Sequence, residues 1–263
     1  MIFFGLLILA IPTYFNIKKS LIEYQVTKNF TENSLKLSKA QKAEIKKAAQ
    51  KQNENPTSKE NADLLKKYNQ TLIKSYGITN QADIKKLGPV IATIVIPKIS
   101  VNLPVFNGTS EFQLSKGAGL MNTTSLPMGG SGIHTVITAH NGDPTSTFFT
   151  NLNQLKKNDY FYTKTAYGKY WYKVDQIKTV TPEELSDIQI VPNKNYTTLV
   201  TCTPYMINSH RLLVRGHLTD APKTLKTTKP INWVGIGVSI MTAIILTTLI
   251  IIKAKRKKQL RRS

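Results

Sequence analysis

The chain has 263 residues, 41% of them hydrophobic, and a formal net charge of +21, a length that suits one domain with appendages. Residues 1–90 carry 15 Lys and Arg against 7 Asp and Glu, residues 91–222 carry 11 against 8, and residues 223–263 carry 10 against none. Basicity gathered at the ends argues against nucleic-acid binding, which puts a basic stripe on the folded domain, and for a membrane surface; a lone cysteine, Cys202, excludes an intramolecular disulfide and a cysteine-rich metal site.

Residues 1–17 open with an apolar run, Met1 to Phe15, that lacks the basic leader of a signal peptide. They are expected to form an N-terminal membrane anchor or signal-anchor. Residues 18–88 form a Lys-rich helical segment. In it Leu35, Leu37, Ala40, Ala43, Ile45, Ala48 and Ala49 give a weak helical periodicity that Asn55-Pro56 breaks. Asn55 can cap a second helix with Pro56 in its first position, and Leu64, Leu65, Tyr68, Leu72 and Ile73 give that helix an apolar stripe.

From residue 89 to 222 the texture is β. Runs over Val90–Ile96, Val101–Phe106, Thr135–Thr138, Tyr160–Thr163, Lys169–Val174, Thr197–Thr201 and Arg211–Leu218 alternate with turn residues, among them Asn107-Gly108 and the hairpin signal Tyr167-Gly168. About seven short strands predict a mostly β domain, a closed barrel or a sandwich. Residues 231–252 then run 22 positions without a charge, enough to cross a bilayer. The tail 253–263 holds Lys253, Lys255, Arg256, Lys257, Lys258, Arg261 and Arg262, which marks the cytoplasmic end and leaves the central domain outside.

No Gly-rich phosphate loop, serine elbow or metal-ligand spacing is present, and no cofactor is expected. Cys202 ends a strand run in Thr198-Leu199-Val200-Thr201-Cys202-Thr203-Pro204. It reads either as a small buried hydrophobe or as a nucleophile. A thiol attacks a carbonyl only as thiolate and so needs a base or a cationic neighbour. His140, just past another strand run, is one such base; by composition alone His210 and His217 serve equally well. Arg211, nine residues beyond Cys202 across a turn, can return beside it on an antiparallel strand and present its fork of donors to an oxyanion. Arg215 would share its face.

These motifs resemble the sortase family, and most closely its class C, the pilus-assembling branch. The resemblance rests on Thr198 to Gly216 with its Leu-x-Thr-Cys core, on Ile96 to Thr109, on Gly117 to Gly130, and on Val136 to His140. It implies a closed sortase-type β-barrel with N-terminal helices and membrane anchors at both ends. It also implies Cys202 as nucleophile, His140 as acid and base, and Arg211 as the group that polarises the substrate carbonyl. Leu199, Thr201 and Thr203, beside the cysteine, are assigned to substrate binding. The implied reaction cleaves an LPxTG-like sorting signal through a thioacyl intermediate and joins pilin subunits through a lysine isopeptide bond, without cofactor or metal, in a monomer. Anchoring of surface proteins to peptidoglycan, and a non-catalytic scaffold that only binds sorting signals, are the alternatives. Three departures stand out: the Asp-Pro-aromatic lid motif is missing around Asp83-Ile84, Asn141 follows the histidine where arginine is common, and Met206 stands where glycine is usual.

Overall fold

In the computed structural model the chain divides into two units, Met1–Thr228 and Lys229–Ser263. The structure describes residues 24, 26–54, 86–142, 147–224 and 248. The predicted anchor at 1–17, all of the predicted anchor at 231–252 but residue 248, the helix after Pro56 and the lid region around Asp83 lie outside them. Among the described residues no helix is long and apolar enough to cross a membrane.

Eight strands close into a barrel in the order β1-β2-β3-β4-β7-β8-β6-β5. They are β1 (Val90–Ile96), β2 (Val101–Phe106), β3 (Ala118–Leu120), β4 (Ile133–Thr138), β5 (Tyr160–Lys164), β6 (Lys169–Val180), β7 (Asn195–Thr203) and β8 (His210–Thr219). β1 and β2 have the predicted bounds. Pro97, which cannot extend the ladder, and the Asn107-Gly108 turn delimit them. The Tyr167-Gly168 hairpin also forms, with Lys164 opposite Lys169. β6 runs six residues past the predicted Val174, because a bulge between Val174 and Gln176 carries the strand on through Asp175 and Lys178. β3 escapes a sequence reading. It has three residues, and its Gly119 is required because the Gly108 carbonyl occupies the space of a Cβ.

Two strand pairs are parallel, β2 with β3 and β4 with β7. Alternation along each strand sends Ile94, Leu103, Ile137, Leu199, Phe161, Tyr172 and Val214 into the interior, all fully or nearly fully buried. Phe161 and Tyr172 stack at 5.4 Å. A Cβ on Gly216 would sit 2.8 Å from the Phe161 ring, so glycine there makes room for the aromatic pair.

Two helices cover part of the outside. α1, residues 26–36, sets Val26 and Phe30 against Leu87, Val90 and Phe106. α2, Lys39–Glu54, buries Ile45, Ala48 and Ala49. Ser38 separates them by exchanging hydrogen bonds with Gln41, the reciprocal cap of a new helix. The predicted stripe therefore splits: Leu35 belongs to α1 and is 72% exposed, and Ala40 and Ala43 also face solvent. Asn53 ties the end of α2 to the barrel. Its Oδ1 accepts from the Leu126 amide at 2.7 Å, and its Nδ2 donates to the Leu126 carbonyl at 3.2 Å.

Candidate active site

Cys202 lies near the end of β7 with its side chain on the outer face of the barrel. Its Cα partner on the antiparallel neighbour β8 is Arg211. Side chains paired in this way stand about 5 Å apart at Cβ. The other neighbour of β7 is the parallel strand β4, where Thr138 is level with Val200. The Ala139 amide continues this ladder to the Val200 carbonyl at 3.2 Å. Two more residues bring His140 level with Cys202. His140, just past the end of β4, Cys202 on β7 and Arg211 on β8 thus stand in a row across neighbouring segments of the barrel.

The predicted site residues meet with two corrections. Leu199 is fully buried in the core and Thr201 is 2% exposed, its hydroxyl donating to the Ala139 carbonyl at 2.8 Å. The pleat turns both into the barrel, opposite to Cys202, so neither offers a surface to a substrate. Thr203, at the strand end, is partly exposed.

The other histidines are separated by their surroundings. His134 is buried inside a hydrogen-bond pair, His217 lies 3.6 Å from Asp175, and His210 meets only the neighbouring Ser209 hydroxyl. Arg215 shares the outer face of Arg211 as expected, but it is engaged by Asp175 at 3.0 Å and stacks 4.3 Å from the Tyr196 ring. Arg211 meets no carboxylate among the described residues. Its Nη1 donates to the carbonyls of Asn208 and His210, both at 3.0 Å. Its Nε and Nη2 hydrogens have no protein acceptor among those residues and remain for an incoming oxygen.

Three participants were not predicted. Glu111 places Oε1 3.4 Å from His140 Nε2. It opens a one-turn helix (Glu111–Leu114) capped reciprocally by Ser110 and Gln113, and that Ser-x-x-Gln pattern is legible in the chain. Asn141, noted only as a departure, donates from Nδ2 to the Cys202 carbonyl at 2.7 Å and so fixes the turn after His140 to the nucleophile's strand. The third is a groove of about 250 Å³ running from Arg211 along the outer face, lined by Thr138, Val180, Leu185, Val200 and Leu213. Its floor is a small apolar cluster of Val136, Val180, Val200 and Leu213, with Ile188 and Met121 packed on it. Strands β4, β6, β7 and β8, the β6–β7 loop, the one-turn helix and the segments around Thr109 and Met121 supply it, so no local periodicity reveals it.

This arrangement suits acyl transfer: a strand-end thiol, a histidine beside it, a guanidinium with open donors, and an apolar trough that can hold an extended peptide. Comparison with known proteins agrees. The sortase domain family matches residues 94–219. A pilus-related sortase C of Group B Streptococcus superposes with a TM-score of 0.60 at 42% identity, covering 74% of this chain and 97% of that one. Sortase C of Streptococcus pneumoniae gives 0.61 at 40% identity, with coverages of 75% and 98%. Among curated relatives, sortase A of Streptococcus agalactiae is 36% identical over 118 residues, 44% of this chain and 47% of that protein. Sortase A of Bacillus anthracis is 31% identical over 129 residues, 60% of its length. The chain thus spans about half of the first of these curated relatives and three-fifths of the second. By its barrel, its Cys202, His140 and Arg211 row and these relatives, the chain belongs to the sortase family, in its class C branch.

Proposed function

We propose that the protein is a cysteine transpeptidase that joins pilin subunits. The observation that carries this reading is the pairing of Cys202 with Arg211 across β7 and β8, at the mouth of an apolar groove. An LPxTG-like sorting signal lies along the groove with its apolar residue over Val200 and Leu213. Cys202 thiolate attacks the threonine carbonyl carbon, and the oxyanion forms against the open Nε and Nη2 hydrogens of Arg211. The Thr–Gly bond breaks as His140 gives its proton to the departing glycine amine, leaving a thioester on Cys202. A pilin lysine amine then attacks the thioester and loses its proton to His140. Cys202 leaves as thiolate and an isopeptide bond remains. The Lys-rich tail 253–263 and the uncharged run 231–252 support anchoring to a membrane with the barrel outside.

Intact mass spectrometry of the full chain with a sorting-signal pilin, with and without a lysine-bearing acceptor pilin, tests the reading. An acyl adduct on Cys202 that resolves into pilin dimer is the expected result, with no adduct on Cys202→Ala at an unchanged circular dichroism spectrum. An adduct that forms but is released only by a peptidoglycan-type amine would replace pilin joining with wall anchoring. Binding without an adduct would reduce the protein to a scaffold.

A further inference from the structure

The wall of the groove is the β6–β7 loop, residues 181–194. Besides a Lys178–Glu184 pair at 3.2 Å and the Ile133 amide donating to the Lys194 carbonyl at 3.1 Å, two fastenings tie it to the barrel close to its groove-lining residues. One is Asp187, whose carboxylate accepts from Gln176 Nε2 and Lys178 Nζ, each at 2.6 Å. The other is His134, 1% exposed on the outer face of β4. Its Nδ1 lies 2.7 Å from the Gln189 carbonyl oxygen and its Nε2 2.8 Å from Thr198 Oγ1. A carbonyl only accepts, so the hydrogen is on Nδ1, and the Thr198 hydroxyl completes the pair by donating to Nε2. Burial, with the Arg215 guanidinium nearby, holds the imidazole below its ordinary range and keeps it neutral, against the opposing pull of the Gln189 bond and Asp175. Gln189 directly follows Ile188, the residue that packs on Val136, Val200 and Leu213, and Leu185 lines the groove three residues earlier.

On the reading that the groove takes the sorting signal, we propose that His134 is a positioning residue for recognition. By latching the Gln189 carbonyl it keeps Ile188 and Leu185 over the groove, so that the apolar pocket exists before the peptide arrives. β4 therefore has two duties about 20 Å apart: its far end leads into His140, and its start holds the wall that selects what His140 works on. A pre-formed wall avoids the ordering cost of closing a loose loop around each substrate, which otherwise subtracts from affinity.

The test compares the full chain with His134→Phe, which keeps an aromatic ring but makes neither hydrogen bond. Thr198→Val, nearly isosteric, releases only Nε2 and serves if the phenylalanine variant misfolds. Amide hydrogen exchange is read over residues 181–194 and over β4 and β7, together with kcat and KM for a sorting-signal peptide. We expect loop exchange at least tenfold faster in His134→Phe with strand protection unchanged, and KM raised about tenfold with kcat within twofold; Thr198→Val should move both readouts in the same direction by less. Loop exchange equal to wild type, uniform loss of protection across the barrel, or a loosened loop with unchanged KM would overturn the proposal. If wild type itself does not act on the peptide, the assignment of the groove falls, and the exchange data still decide whether His134 is the latch.

Discussion

Arg211 and Cys202 form a cross-strand pair near the end of the β7–β8 ladder, and the proposed chemistry rests on that pairing. The carbonyls of Asn208, in the β7–β8 loop, and of His210, at the start of β8, hold one end of the guanidinium and leave the rest of its fork free. An ammonium at this position has no second arm. Arg211→Lys is therefore expected to lower kcat/KM by about 10²–10³, the range seen when one oxyanion donor is lost, as measured by steady-state cleavage of a sorting-signal peptide. In the same loop Met206 has φ of 66° and is 68% exposed. A left-handed conformation costs a side-chain-bearing residue about 1–2 kcal/mol, against roughly 0.5–1 kcal/mol for the added freedom of glycine. Met206→Gly should thus stabilise by about 0.5–1 kcal/mol, visible as a raised urea midpoint. The sequence shows Met206 as an odd residue; only the backbone angle explains why glycine suits the place. By contrast the assignment of Leu199 and Thr201 to the substrate failed on parity alone. A strand sends neighbours to opposite faces, and a choice of residues by nearness to Cys202 in sequence ignores it.

Among the elements, the β6–β7 loop carries the most consequence. Its two fastenings titrate in different windows. The unfolded chain takes up a proton at His134 near the ordinary value of 6.5, whereas the native protein resists it until lower pH because the ring is buried. The stability from a neutral His134 is therefore complete above about pH 6.5 and is lost as pH falls toward the depressed native value. Asp187 is held below its ordinary 3.8 by Lys178 and Gln176, so its contribution survives until pH falls past that point. Thermal melts between pH 7 and 5 should show a falling midpoint in wild type and a flatter profile in His134→Phe. The strands themselves were largely legible, since Pro97, Asn107-Gly108 and Tyr167-Gly168 punctuate them. The groove was not, because barrel closure sets the 180–188 stretch against residues of β4, β7 and β8 that lie far from it in the chain.

At the scale of the molecule, α2 packs into the folded domain. Ile45 and Ala49 of α2 join the main core cluster with Ile94, Leu103 and Val214, and Asn53 reaches 73 residues along the chain to satisfy both polar groups of Leu126. Asn53→Ala removes the partner of a sheltered amide and carbonyl and is expected to cost about 1–3 kcal/mol in a denaturant titration. The periodicity in the sequence marked Ile45, Ala48 and Ala49 correctly. What it lacked was the break at Ser38, which turns one predicted face into two.

The order of the strands also has a consequence in time. His140 is made early, just after β4. The thiol arrives much later on β7, and it meets its arginine only when β8 has folded back along both β7 and β6. β8 is the last strand among the described residues and joins β7 to β6. A chain still growing, or one cut before β8, has Cys202 without its Arg211 neighbour, among strands with an open seam. Because Cys202 is the only cysteine in the chain, acylation on the proposed mechanism would also count the barrels that have finished closing.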